Sequence, residues 1–299
     1  MNESVHTFAG NNLDRGEALR RDEANIEALR QSAAAQFLVF SKLRVATHEQ
    51  TLRWFSAADL EAMDLQQTVF LGMRDEVPLF AAALASNTQE IEFTDCRLIA
   101  GALATADTGI LAQARAQLDW HQRNPFCAQC GNPTRAERGG HIRRCDRCER
   151  HIFPRTDPVA IMLIIDEPGG DRCLLGQSQG RMASSNFYSA LAGFVDQGES
   201  LEEAVRREVR EEAGVPVGRV AYHSSQPWPF PSQLMIGCHG VALSQEIQID
   251  PVEMADVRWF TRAEVSAALA EENPDLRVPG AMAIAHHLIR SWVAREVEL

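Results

Sequence analysis

The sequence predicts a chain of the α/β (α+β) class: two mixed α/β domains with a small metal-stapled segment between them. Apolar runs of strand length recur in both halves, and segments of helical spacing stand among them at 107–122, 201–213 and 281–295. Between the halves, residues 123–155 are short of apolar residues and carry four cysteines in two close pairs. That segment cannot build a core of its own and needs a staple. The expected division is 1–122, 123–155 and 156–299.

Residues 1–35 are polar, rich in Arg and Glu, and read as partly helical. The runs at 37–45 (FLVFSKLRV) and 78–84 suit short strands. Over 107–122, Ile110, Leu111, Ala114 and Leu118 fall on one side of a helix. No chemistry stands out in this first domain, which reads as a scaffold or dimerisation domain. In the last domain, 158–166 (PVAIMLIID) has the near-continuous apolar character of a buried strand. Its hairpin partner is 172–177, reached across Pro168, Gly169 and Gly170. Further strands fit 219–225, 234–243 and 256–260. A mixed sheet flanked by helices follows.

A net charge of −12 argues against broad affinity for nucleic acid but leaves a short nucleotide open as a ligand. No stretch approaches the roughly 18 to 20 apolar residues of a membrane span, so no membrane association is expected. The start lacks an apolar signal core and the end, REVEL, is neither a peroxisomal nor a retention tail. The expected compartment is the cytoplasm.

Cys127, Cys130, Cys145 and Cys148 form C-x2-C-x14-C-x2-C. Two pairs on tight turns can converge on one tetrahedral ion, and four thiolates leave no open position, so one structural Zn2+ per chain is expected. Cys96, Cys173 and Cys238 remain as free thiols. From 121 to 155 there are eight Arg against three acids, Glu137, Asp146 and Glu149. This suits either a surface for an anionic substrate or counter-charge around a dianionic zinc–thiolate centre.

The segment Gly193 to Val215 carries the chemistry. Ser200 with Glu203 makes a capping box, and Gly214 supplies the left-handed stop, which predicts a helix of about 13 residues from Leu201. Leu201, Ala204 and Val205 begin an apolar stripe that continues at 208 and 212. Those positions hold Glu208 and Glu212, with Glu211 adjacent. Carboxylates on an inward patch repel one another and resist desolvation unless cations hold them, and hard oxygen ligands suit Mg2+ or Mn2+. A solvated acidic helix explains Glu202 and Glu203 well, and Glu208 and Glu212 badly.

Gly193, Glu199, Arg207, Glu208, Val209, Glu211, Glu212, Gly214 and Val215 match G-x5-E-x7-R-E-U-x-E-E-x-G-U, where U is a bulky aliphatic residue. This is the Nudix box, and the chain resembles the Nudix hydrolases, an α/β/α sandwich with a mixed sheet. The resemblance implies catalytic roles for Arg207, Glu208, Glu211 and Glu212. It also implies Mg2+ or Mn2+ held by Glu208, Glu212, Glu253 and the carbonyl of Ala192. Glu211 resembles the family's general base or a further ligand, Arg207 orients the glutamates, and Glu199 braces the loop.

Beyond the helix, Ser225, Gln226, Pro227, Trp228, Pro229, Phe230 and Pro231 read SQPWPFP. Three alternate prolines stiffen the backbone. Trp228 and Phe230 then either stack on a planar base or pack into the core. This signature, after a four-cysteine ribbon and a Nudix-like N-terminal domain, is similar to the NADH pyrophosphatase subfamily. The resemblance implies cleavage of NAD(H) to nicotinamide mononucleotide and AMP by a homodimer, with removal of NAD caps from the 5' end of RNA in some bacterial members. Substrate contacts carried over are Phe153, Phe194, Gln226, Pro227, Trp228, Pro229, Phe230, Pro231, Ser232, Gln233 and Ala285, with Trp228 and Phe194 sandwiching nicotinamide. The chain departs from the pattern at Gln233 (a Ser in the family, here displaced to Ser232), at Gly140 (an acid) and at Phe153 (a Tyr). The alternatives are hydrolysis of another nucleoside-diphosphate conjugate, such as ADP-ribose or a diadenosine polyphosphate, and a non-catalytic nucleotide-sensing module.

Overall fold

The computed structural model describes residues 6–86, 90–180, 183 and 185–297. The first five residues of the polar N-terminal stretch, and the last two of REVEL, lie outside them. The chain forms two compact units: Met1–Thr156 with Pro227–Ser232, and Asp157–Gln226 with Gln233–Leu299.

The first unit is built on a seven-stranded sheet whose main path runs Thr51–Leu52, Arg44–His48, Gln36–Ser41, Val77–Leu84, Leu65–Arg74. The run expected over 37–45 is two strands, because Lys42 and Leu43 turn the chain at φ 50° and 61°. That is a tight hairpin turn made without the Gly or Asn that would have marked it. The helix Thr105–Arg123 buries Ile110, Leu111, Ala114 and Leu118, the side expected from their spacing. The cysteine-rich segment forms a three-stranded antiparallel sheet of Thr134–Glu137, Ile142–Cys145 and His151–Ile152. It joins the first unit through its turn: Phe70 N–H donates to the Gly139 carbonyl at 2.8 Å, and His141 Nε2 pairs with the Phe70 carbonyl at 2.7 Å.

In the second unit, β1 (Asp157–Ile165), β2 (Arg172–Ser178), β3 (Leu191–Phe194), β4 (Val217–Trp228), β5 (Gln233–Ala242) and β6 (Met254–Thr261) form a six-stranded mixed sheet. Its order is β4-β5-β1-β2-β6, with β3 paired to β1. β1 runs parallel to β5 and antiparallel to β2 and β3. Both faces of β1 are covered, which accounts for its unbroken apolar character. Ala160, Met162 and Ile164 pack with Val205 and Val209 of α1 (Leu201–Ala213). Ile161, Leu163 and Ile165 pack on the other side with Val265 of α2 (Arg262–Leu269) and with Leu288 and Trp292 of α3 (Ile284–Val293). Helices on both faces of a mixed sheet make the expected α/β/α sandwich. Sequence reasoning passed over α2, although Thr261 and Glu264 form a capping box that marks its start.

Candidate active site

The helix α1 begins and ends as its sequence dictates. Ser200 N–H donates to Glu203 Oε2 at 2.7 Å, Glu203 N–H donates to Ser200 Oγ, and Gly214 closes the helix at φ 71°. Ala204, Val205, Val209 and Ala213 anchor it to the sheet. This fixed seating turns Glu208 and Glu212 inward, each only 8% exposed. Glu211 departs from the expected inward patch: its side chain is 55% exposed at the rim, because at the helical period it follows Arg207 and not the apolar stripe.

Arg207 ties the site together. Its guanidinium donates to both oxygens of Glu199 at 2.7 and 2.8 Å, to Glu208 at 2.8 Å and Glu211 at 2.9 Å, and to the Phe194 carbonyl at 2.9 Å. One fork thus joins the helix to the loop that precedes it. The Arg207 hydrogen bonds hold the Glu199 carboxyl down to about 2. Across from Glu208 lies β3, where Ala192 pairs with Ile161 in the sheet and Gly193 follows. A Cβ on Gly193 would fall 1.9 Å from Glu208 Cδ, so only glycine admits the carboxylate there.

Glu212 has no comparable partner. Its Oε2 is buried with no hydrogen bond. Burial, together with the charges of Glu208, Glu253 and Glu211, pushes its carboxyl up to about 8. Burial also raises Glu208, with Arg207 opposing and Glu211 and Glu253 adding to the rise. Glu253 is exposed in sequence just before β6, yet its charge reaches both buried glutamates. A buried, unpartnered carboxylate among other carboxylates is costly by itself and suits a hard divalent cation. The donor set is all oxygen, as Mg2+ or Mn2+ would require.

The cysteine quartet converges as its spacing requires. The four sulfurs of Cys127, Cys130, Cys145 and Cys148 all lie within 4.8 Å of one another. Backbone N–H groups at Gln129 and Cys130 lower the Cys127 thiol, and the Asn132 N–H leads in lowering Cys130. These sulfurs fit tetrahedral zinc, with no fifth donor needed. Three of the ribbon's arginines are held within the first unit: Arg135 by Asp146 at 2.8 Å, Arg144 by Glu149 at 2.8 Å, and buried Arg143 by Thr134 and His121.

The residues carried over as substrate contacts fall into three environments. Phe194 in the second unit and Phe153 on the ribbon are 54% and 47% exposed. Gln226 is fully buried: its amide donates to the Met282 carbonyl at 2.8 Å and accepts from Ile284 N–H at 2.9 Å. It caps α3, whose own N-cap, Ala283, has no side chain able to do so. The Gln226 side chain thus braces the start of that helix. Ala285 is buried in the first turn of that helix. Trp228 and Phe230 are half-buried and fold with the first unit, edge-to-face with Phe8, while Pro229 is buried. Ser232 spends its hydroxyl on the Arg155 carbonyl at 3.1 Å, Pro231 is half-buried beside it, and Gln233 opens β5 opposite Asp157. Gly140, aligned with an acidic contact, is a buried turn residue whose carbonyl pairs with His121 Nε2 at 2.8 Å. A Cβ there would press on Val69 at 3.1 Å, which leaves no room for an acid.

Three family matches tile the chain. Residues 22–120 match a NADH pyrophosphatase-like rudimentary NUDIX domain, residues 122–153 the NADH pyrophosphatase zinc ribbon domain, and residues 155–279 the NUDIX domain. A NAD-capped RNA hydrolase of Mycobacterium bovis is 35% identical over 309 residues, covering 98% of this chain and 96% of that protein. The chain belongs to the NADH pyrophosphatase family of Nudix proteins. Among other relatives in this family, a NAD-capped RNA hydrolase of Macaca fascicularis is 47% identical over 200 residues, 64% of this chain and 43% of its own. The mitochondrial NAD(P)H pyrophosphatase of Homo sapiens is 38% identical over 216 residues, 68% and 60% of the two chains. The chain therefore spans less than half the length of the Macaca relative.

Within this family frame, sequence reasoning missed the cap formed by Gln226 and the residues that hold the proline-rich segment, Phe8, Arg97 and Arg115. Their partners lie more than fifty positions away, and no local spacing marks such a contact.

Proposed function

We propose that this chain hydrolyses the pyrophosphate bond of NAD(H), giving nicotinamide mononucleotide and AMP, and that it also removes NAD caps from the 5' end of RNA. The observation that carries the reading is Glu212, buried and unpartnered beside Glu208, with Gly193 leaving room for the second carboxylate. Support for the substrate comes from the names of the relatives, which act on NAD(P)H or NAD-capped RNA. The three family spans likewise support the division 1–122, 123–155 and 156–299.

Glu208, Glu212, Glu253 and the carbonyl of Ala192 would hold Mg2+ or Mn2+. The chemistry supplied with a divalent cation in place is neutralisation of diphosphate oxygens and activation of a water for in-line attack on phosphorus. Glu211, exposed at the rim and tethered only through Arg207 Nη1, is the carboxylate free to accept a proton from that water. Arg207 fixes the mutual spacing of Glu199, Glu208 and Glu211. Phe194 offers an exposed ring for stacking on a planar base. The ribbon would hold one structural Zn2+.

A homodimer is part of this proposal and rests on the family resemblance. Residence in the cytoplasm is also proposed, since Cys96, Cys173 and Cys238 are buried and unpaired, as suits a reducing compartment. Among the described residues no helix is long and apolar enough to cross a membrane. The test is a competition among NADH, NAD+, ADP-ribose, a diadenosine polyphosphate and NAD-capped RNA with Mn2+ or Mg2+. AMP release led by NADH or NAD-capped RNA is expected; preference for ADP-ribose or the diadenosine compound overturns the substrate assignment.

A further inference from the structure

We propose that the rudimentary first domain serves the reaction at one remove: Phe8, Arg97 and Arg115 are positioning residues that hold Trp228 and Phe230 in the orientation that meets the nucleotide. The inference rests on the reading that this segment contacts the substrate. Alternating prolines stiffen a short backbone but do not aim it, so something outside the segment must fix its direction.

Pro227–Ser232 folds with the first unit, and the contacts that hold it there are specific. Phe8, 1% exposed, stands edge-on to Trp228 at 5.7 Å and to Phe230 at 5.5 Å. Trp228 and Phe230 in turn meet edge-on at 5.4 Å, which closes a triangle of rings. Such edge-to-face contacts have preferred geometry and transmit orientation. Phe8 is itself fixed: its φ is 70°, its N–H donates to Thr108 Oγ1 at 3.1 Å, and that hydroxyl donates to the Thr105 carbonyl at 2.8 Å.

Two cations complete the clamp. The Arg97 guanidinium lies over the Phe230 ring at 3.7 Å and that of Arg115 at 4.5 Å. Arg115 also donates to the Pro229 carbonyl. Proline has no N–H, so this carbonyl is the one backbone group at that residue able to accept a directional anchor. Thr108 and Arg115 both stand on the helix Thr105–Arg123. One helix thus seats the wedge and the clamp together, while Trp228 stays partly uncovered. A domain in which the sequence shows no chemistry of its own acquires a role.

The decisive experiment is a double-mutant cycle on the full zinc-loaded chain, with KM and kcat for NADH measured separately. Arg115→Ala is expected to raise KM about threefold to tenfold with kcat within about twofold, as loss of a cation–π contact and its hydrogen bond implies. Arg115→Lys should recover part of that loss. Arg97→Ala, at an exposed position where folding is not at stake, should raise KM by about twofold to fivefold. In a background lacking both rings, Trp228→Ala with Phe230→Ala, neither arginine substitution should raise KM further. Unchanged KM in both single variants, or additive losses in that double background, overturns the inference. If the unmodified chain releases no AMP from NADH, it is the substrate reading that fails; the same cycle is then run on the dinucleotide that is cut, with the same two outcomes deciding.

Discussion

Gly193 and Glu208 share one small volume: a Cβ on the glycine would lie 1.9 Å from the carboxylate carbon of the glutamate, and 2.1 Å from its Oε1. The glycine of the motif is therefore a space requirement, set by a side chain one helix away. Gly193→Ala must push Glu208 off its seat or move β3. The expected result is a loss of turnover of about 100-fold, the cost of a displacement near 1 Å in a catalytic group. Overpacking should lower stability by about 1–3 kcal/mol. Kinetics and denaturant unfolding on the same preparation check both; an alanine variant with full turnover would show that Glu208 needs no such seat.

Glu212 leads to an opposite pair of effects. Its buried Oε2 finds no hydrogen-bond donor. Glu212→Gln should abolish most turnover yet stabilise the metal-free protein at neutral pH by about 1–3 kcal/mol, since folding holds this carboxyl, pushed up to about 8, protonated where the unfolded chain would ionise it. The unmodified chain should melt higher as Mn2+ is added, by mass action on the folded state, and the variant should respond much less. Equal Mn2+ responses in the two proteins would remove Glu212 from the ligand set.

The zinc ribbon yields a prediction about folding. It has only short strands, and its four sulfurs lie within 4.8 Å of one another. Metal analysis should return one zinc per chain. Cys145→Ser, at a buried sulfur, should lose that zinc and expose the ribbon to protease, because structural zinc contributes about 10–16 kcal/mol in small domains. A zinc-free Cys145→Ser protein with unaltered ribbon protection would show that packing alone suffices there.

What was legible in the sequence follows from how local the cause is. The span of α1 was readable to the residue, because Ser200, Glu203 and Gly214 act within one turn. The inward Glu208 and Glu212 were readable from periodicity alone. Glu211 lies at the rim with Arg207, because adjacency in sequence does not put it on the face of Glu212. The role of Gln226 was invisible, since its partners Met282 and Ile284 lie more than fifty positions away. The surroundings of Trp228 and Phe230 depend on Phe8, Arg97 and Arg115, which are far from them in sequence though in the same unit. The turn at Lys42 and Leu43 escaped notice because neither residue favours positive φ.

His239 contributes a pH dependence to the second unit. Its ring is 3% exposed on β5, its Nε2 pairs with the Leu288 carbonyl at 3.0 Å, and His223 stands edge-on at 5.2 Å. Burial pushes its pKa down from 6.5 to about 4. As pH falls below 6.5 the unfolded chain takes up a proton at this residue that the folded chain refuses until about 4. The stabilisation is therefore fully present above 6.5, is lost progressively from 6.5 down to about 4, and falls no further below that. Between pH 6.5 and 5 this single residue should cost about 2 kcal/mol. His239→Gln keeps a donor for Leu288 and removes the titration, so its urea midpoint should decline less over that window. His121 and His141 in the first unit, also pushed down to about 4, and His223 and His287, lowered by burial, are untouched by the substitution and contribute to the residual slope. Parallel stability curves for the variant and the unmodified chain would mean that His239 takes up its proton in the folded state as readily as in the unfolded one.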